Sequence, residues 1–301
     1  MALDPKEIGQ IGGGKRKVTG RIDVAIIQSL ARKGVVDDIV GEYGHLVIDE
    51  CHHISARSFE SVARQCKAKY VTGLSATVTR KDGQHPIIFM QCGPIRYRVD
   101  DRKQAAARPF DHSVILRKTG FKLPGDCRDK SELTIQEIYS ALIHDEQRNN
   151  MILDDVMKTI AMKRSPVILT ERKEHLEFLA DRLSPLVRNI VVLKGGMGQK
   201  QRRELTQKIS EIADDDERLL ISTGRYLGEG FDDARLDTLF LALPVSWRGI
   251  FAQYAGRLHR LHDRKEEVVI YDYADLEVPM LAKMYDKRRR GYRSIGYNID
   301  E

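Results

Sequence analysis

The chain has 301 residues, 42% of them hydrophobic and 31% charged, the balance of a soluble globular protein with room for two ordinary domains. Fifty Lys and Arg stand against 44 Asp and Glu, and the net charge of +6 permits a polyanionic partner without demanding one. Four cysteines, Cys51, Cys66, Cys92 and Cys127, form no C-x-x-C pair, and neither a signal peptide nor a long apolar run is visible. A disulfide framework and a membrane role are therefore set aside, and the cytoplasm is the expected compartment. Cys51-His52-His53 does not suggest zinc, because consecutive residues do not converge easily on one ion and no second ligand pair has zinc spacing.

Residues 9–16, G-Q-I-G-G-G-K-R, match the G-x-x-x-x-G-K part of a phosphate-binding loop. A working loop of that kind hangs between a strand and a helix. Residues 1–8 show no strand pattern and no helix fits behind Lys15, so the run reads as a glycine-rich surface turn with a basic tip, Lys15-Arg16-Lys17. Residues 22–27 read as a strand and 28–40 as a helical connection. Leu46, Val47 and Ile48 have the composition of a strand buried on both faces, which ends in Asp49 and Glu50. A short helix over 58–66 and a strand over 70–74 follow, the latter ending in Ser75-Ala76-Thr77. Residues 80–94 carry turn residues around a short apolar run, and 114–116 read as one more strand. The composition then shifts to Gly, Pro, Lys and Asp over 119–131, which predicts a boundary between domains 1–125 and 126–301.

The second half restarts the alternation. Helical patterning over 132–162 precedes strands at 167–170, 190–193, 219–222, 238–241 and 268–271. Strands spaced by helices predict an α/β fold with mostly parallel sheets covered on both faces. Over 247–261, Ile250, Phe251, Tyr254, Leu258 and Leu261 form an apolar stripe. Gln253, Gly256, Arg257 and Arg260 share a neighbouring face. A glycine inside a helix costs about 1 kcal/mol relative to Ala, which points to close approach of a ligand, and two guanidiniums suit a phosphate. Lys287 to Arg290 is a further concentration of positive charge, readable as a phosphate contact or as a solvated helix end.

Carboxyl ends of strands in open α/β sheets are where ligands bind. An Asp there can hold Mg²⁺, and a following carboxylate that points elsewhere can orient or deprotonate a water attacking a γ-phosphate.

Asp49-Glu50-Cys51-His52, Ser75-Ala76-Thr77, Thr223 with Gly228-Glu229-Gly230-Phe231-Asp232, and Gln253-x-x-Gly256-Arg257-x-x-Arg260 occur in the order found in superfamily 2 helicases. Within that superfamily the chain resembles the branch of the xeroderma pigmentosum group B helicases and the type III restriction motors. The resemblance implies two RecA-like domains, the first one incomplete, that use ATP and Mg²⁺ and act on nucleic acid, most of all DNA. It implies Asp49 as the Mg²⁺ carboxylate, Glu50 as the activator of water, and Arg257 and Arg260 as arginine fingers. Gly230, Asp232 and Gln253 would attend the nucleotide, and Ser75 and Thr77 would couple its state to the other lobe. Gln28, Ser29, Thr170, Arg172 and Thr223 match positions that touch the nucleic-acid backbone. The resemblance places a P-loop before residue 1, so the chain is expected to be the later part of a larger motor with further domains, and inactive as an ATPase by itself. A non-catalytic nucleic-acid-binding module and the motor of a restriction or defence enzyme are the alternatives.

Overall fold

The computed structural model describes residues 4–32, 34–51, 57–75, 85–123, 133–224, 233–245 and 252–300. They form two compact units, Met1–Arg98 and Val99–Glu301.

In the first unit, β1 (Ile8–Gly12) pairs antiparallel with β2 (Lys15–Lys17) and parallel with β3 (Ile22–Ala25). Residues 9–15 are thus a β-hairpin, turned by Gly13 and Gly14 at φ 62° and 81°, a left-handed backbone that favours glycine. The surface turn read from the sequence is there. The strand that enters it, β1, was hidden by its glycines. At the tip Arg16 pairs with Asp37 at 2.6 Å, and Lys17 Nζ donates to Lys6 O at 3.0 Å. The predicted helix over 28–40 is instead a single turn, Ile27–Leu30, then the short antiparallel pair β4 (Ala31–Arg32) and β5 (Val35–Val36), then a 3-10 turn capped by Asp37. Its adjacent valines favour the extended backbone.

The strand β6 (His45–Ile48) pairs parallel with β7 (Tyr70–Gly73). Only Ile48 on β6 is buried, and Val47 is 55% exposed, so the strand is not covered on both faces as its composition predicts. Among the described residues β6 has β7 as its one strand partner, and two strands cannot bury two faces. Ile48 and Cys51 pack on Ile88 of the helix His85–Cys92, where the turn residues of 80–94 predict no helix.

In the second unit seven strands lie in the order β10-β11-β9-β12-β13-β8-β14, every neighbouring pair parallel. They are β8 (Asp111–Lys118), β9 (Pro166–Thr170), β10 (Ile190–Leu193), β11 (Leu219–Thr223), β12 (Thr238–Leu241), β13 (Glu267–Ala274) and β14 (Asn298–Asp300). Every residue of the central strands β9 and β12 is buried, as unbroken apolar runs require when helices cover both faces. The helices Glu146–Ala161 and Lys173–Leu183 contribute Ile152, Val156, Leu176 and Leu179 to the cluster holding Ile168 and Phe240, and Tyr254, Leu258 and Tyr292 join Leu169 and Leu241 in another.

The chain therefore divides between Arg98 and Val99, ahead of the composition break at 119–131. The cause is β8, which pairs with β13 over eight residues, from Asp111↔Glu267 to Lys118↔Ala274. Pairing across so long a sequence separation leaves no mark in local composition. In the basic run 287–290, Lys287 and Arg290 are exposed, but Arg288 is not what its charge suggests. The run lies on the helix Pro279–Ser294, where Arg288 is 1% exposed and donates through Nε and Nη2 to Asp272 at 2.8 Å each.

Candidate functional site

In the first unit the parallel register Ile48↔Gly73 sets the ends of β6 and β7 side by side. Leu74 N donates to Ile48 O at 2.8 Å and Cys51 N to Leu74 O at 2.9 Å, so Asp49 and Glu50 form a turn directly opposite Leu74 and Ser75. Asp49 is exposed and its Oδ1 accepts from Glu50 N at 2.9 Å. Glu50 is half-buried with φ 48°, the left-handed region that costs a non-glycine residue of order 1 kcal/mol or more. Gly73 permits the turn to close down, because a Cβ there would stand 2.9 Å from Cys92 Sγ and 3.0 Å from Cys51 Sγ. Gln28 is exposed and Ser29 half-buried on the turn Ile27–Leu30. Ser75 is half-buried, and Thr77 lies outside the described residues.

An exposed Asp49 fits Mg²⁺, which typically takes one or two protein carboxylates and completes its shell with water and substrate phosphates. No cage of three or more His, Cys, Asp or Glu occurs among the described residues.

In the second unit the register Thr223↔Thr170 joins the ends of β11 and β9, beside the point where strand order reverses around β9. Three elements converge there. A Cβ on Gly224 would overlap both Glu171 Oε1 and the Tyr254 hydroxyl, so glycine lets β11, the loop after β9 and the helix Ala252–Leu258 meet. Glu171 and Gly224 were not singled out from the sequence, although each adjoins a residue that was, and Tyr254 was read only as part of the apolar stripe.

Thr223 is half-exposed at this edge. Arg172 is half-buried, its guanidinium over the Tyr139 ring at 5.8 Å and its Nη2 donating to Gln136. Thr170 is placed otherwise than expected. It is wholly buried, its Oγ1 is 3.1 Å from His175 Nδ1, and His175 Nε2 is 3.0 Å from Asn149 Oδ1. Burial lowers the His175 pKa to about 3, so the imidazole is neutral near pH 7. Thr170 thus serves the core hydrogen bonds and does not face a nucleic-acid ligand.

On the helix Ala252–Leu258, Tyr254 and Leu258 are buried and Arg257 is half-exposed, while Arg260 lies two residues past its end and is exposed. Leu261, predicted to continue the apolar stripe, is 68% exposed because the helix ends three residues earlier. Gly256 is exposed, and a Cβ on it would meet nothing within 4 Å, so the described residues of this chain do not require the glycine. Gly256→Ala is therefore expected to leave the thermal unfolding temperature unchanged or higher, with a gain of up to about 1 kcal/mol. A lowered unfolding temperature would show that the site is packed. Gly230, Asp232, Ile250 and Phe251 lie outside the described residues, as does the side chain of Gln253.

The family described as "Type III restriction enzyme, res subunit" matches residues 2–80. L396 of Acanthamoeba polyphaga mimivirus, which carries an ATP-dependent RNA helicase name, is 24% identical over 283 residues, 92% of this chain and 52% of that protein. The DNA 3'-5' translocase XPB2 of Sulfurisphaera tokodaii is 30% identical over 98 residues, 33% of this chain and 21% of that one. Among solved structures, a fragment ascribed to the HsdR subunit of a type I restriction enzyme from Vibrio vulnificus YJ016 superposes with a TM-score of 0.67 at 19% identity, over 99% of this chain and 54% of that one. The chain spans about half the length of the mimivirus relative. The folds it resembles are RecA-like helicase domains. With its acidic turn after β6 and its paired arginines in the order of helicase motifs, the chain is similar to superfamily 2 helicases, in the branch of the type III restriction motors and the XPB translocases.

Proposed function

We propose that the chain supplies ATPase and nucleic-acid-contacting residues to a motor that couples ATP hydrolysis to movement along, or unwinding of, nucleic acid. The observation that carries this reading is the turn after β6, where Asp49 is exposed and Glu50, held at φ 48°, is half-buried opposite Ser75. Asp49 would hold Mg²⁺ together with the phosphates, where the ion would supply charge neutralisation for the transferred group. Glu50 orients the attacking water and takes up its proton. Arg257 and Arg260 stabilise charge on the γ-phosphoryl group, with Gln253, Gly230 and Asp232 attending the nucleotide. Ser75 and Thr77 report nucleotide state, and Gln28, Ser29, Arg172 and Thr223 meet the nucleic-acid backbone. DNA is the favoured polymer, in keeping with the name of XPB2, whereas L396 is named for RNA. The cytoplasm is the proposed location.

The hairpin at residues 9–15 favours a second statement about the isolated chain. The segment matching G-x-x-x-x-G-K turns from strand to strand, so its amides do not cradle phosphates at a helix start. We infer that the phosphate-cradling residues come from outside the chain, which by itself binds nucleic acid without hydrolysing ATP.

The test measures ATP hydrolysis by the native protein with and without DNA and RNA, and nucleic-acid affinity between about 50 and 200 mM salt. Stimulated hydrolysis and affinity that falls steeply with salt are expected. Hydrolysis indifferent to either polymer would contradict the motor, and affinity unchanged by salt would contradict contact through phosphates.

A further inference from the structure

The helix that carries Arg257 ends at Leu258, and its last carbonyls have no partner within the helix. Lys265, seven residues on in the loop before β13, folds back beneath them. Its Nζ donates to Leu258 O at 2.7 Å and to Arg260 O at 2.8 Å, while its own N–H donates to His262 O at 3.0 Å. Lys265 is only 6% exposed, with its ammonium 5.5 Å from the centre of the buried Phe110 ring. The ammonium therefore grips the backbone of Arg260 itself, just past the helix, where nothing in the helical hydrogen-bond pattern would hold it. A cation at this end also complements the helix dipole. From the other side, His259 Nε2 lies 2.8 Å from the Tyr297 hydroxyl, so the chain between the two arginines is clamped twice.

We propose that Lys265 is a positioning residue for ATP hydrolysis: by holding the Leu258 and Arg260 carbonyls it sets the direction in which Arg257 and Arg260 leave the helix. This rests on the reading of those arginines as fingers. Several features agree with it. A buried lysine with two backbone acceptors is a costly way to end a short helix that glycine or water could end more simply. Burial lowers the Lys265 pKa to about 8 against the opposing pull of Asp237 and Asp233, and the ammonium remains the major form at pH 7. Lys265 also lines a cleft of about 540 Å³ with Arg164, Asp237, His262 and Arg264.

The experiment compares Lys265→Ala and Arg260→Ala in the native protein by kcat, KM for ATP, nucleic-acid affinity and melting temperature. Lys265→Ala is then assayed with propylammonium and, in parallel, with 1-propanol. We expect kcat to fall at least about tenfold, with KM and nucleic-acid affinity within about twofold, since placement matters to the transition state more than to the ground state. Propylammonium should restore part of the rate and 1-propanol should not, because a charged donor is what was lost. If Lys265→Ala does not fold, Lys265→Met fills the cavity and carries the same measurements. A folded variant with parental kcat, a loss confined to KM or melting temperature, or equal recovery with the alcohol overturns the inference. If Arg260→Ala itself hydrolyses ATP at the parental rate, it is the finger reading that fails; if Arg260→Ala is inactive while Lys265→Ala is not, only the role of Lys265 falls.

Discussion

In the native protein with the phosphate-cradling residues inferred to lie outside this chain, Arg260→Ala is expected to lower nucleic-acid-stimulated ATP turnover by roughly 10³ to 10⁵, the range that arginine fingers contribute in nucleotide hydrolases. Arg260 is exposed and lies beyond the end of the helix Ala252–Leu258, so its side chain supports no core packing and its loss should change stability by no more than about 0.5 kcal/mol. Leu258, two residues earlier, provides the contrast. It is 1% exposed within the main cluster, and Leu258→Ala should cost roughly 2 to 5 kcal/mol by opening a cavity. ATP affinity of the Arg260 variant should change far less than turnover, because the charge that a finger meets develops during phosphoryl transfer. Melting temperature, ATP affinity and turnover of the two variants, measured side by side, separate chemistry from folding. Parental turnover in Arg260→Ala would remove the basis for assigning hydrolysis to these motifs.

Arg288→Ala should have the largest effect on stability, about 3 to 5 kcal/mol in chemical denaturation. Arg288 and Asp272 have side chains 1% exposed each, and two parallel hydrogen bonds of 2.8 Å join them. The Tyr292 hydroxyl adds a donor to Asp272 Oδ2 at 2.6 Å. Burial works against the guanidinium's charge, but Asp272 outweighs it and raises the Arg288 pKa. Without the arginine a buried carboxylate keeps one neutral donor and loses its counter-charge. Replacing both partners, Arg288→Met with Asp272→Leu, should recover most of the loss, since an apolar pair leaves no buried charge behind. A single Arg288→Ala that unfolds at the parental denaturant concentration would show that the pair contributes nothing.

How far the sequence could be read depended on the range of the forces involved. The strands β10 and β12 stand where the apolar runs 190–193 and 238–241 placed them, and β9, β11 and β13 differ from expectation by a few residues at their ends. A strand buried on both faces must be apolar along its length, and that is a local property. Asp49 and Glu50 were legible for the same reason, as charges that abruptly end an apolar run. Charge and glycine were poorer guides. Arg288 sits in a run of four cations yet is buried, because its partner Asp272 is 16 residues away on a neighbouring strand. The glycines of residues 9–15 suggested a phosphate loop in spacing, while the pairing Gly12↔Lys15 makes them a hairpin.

The sequence by itself determined the alternation of strands and helices in the second unit, the acidic turn, and the order of motifs that carries the resemblance to superfamily 2 helicases, since each is written in neighbouring residues. Only the tertiary structure decided that β8 belongs with β13, where Ser113 Oγ donates to Glu267 across 154 residues, that Thr170 faces His175 within the core, and that Lys265 holds the chain at Arg260. These depend on which distant segments the sheet brings together, and hydrogen bonds made across such separations impose no period or composition on the residues around them.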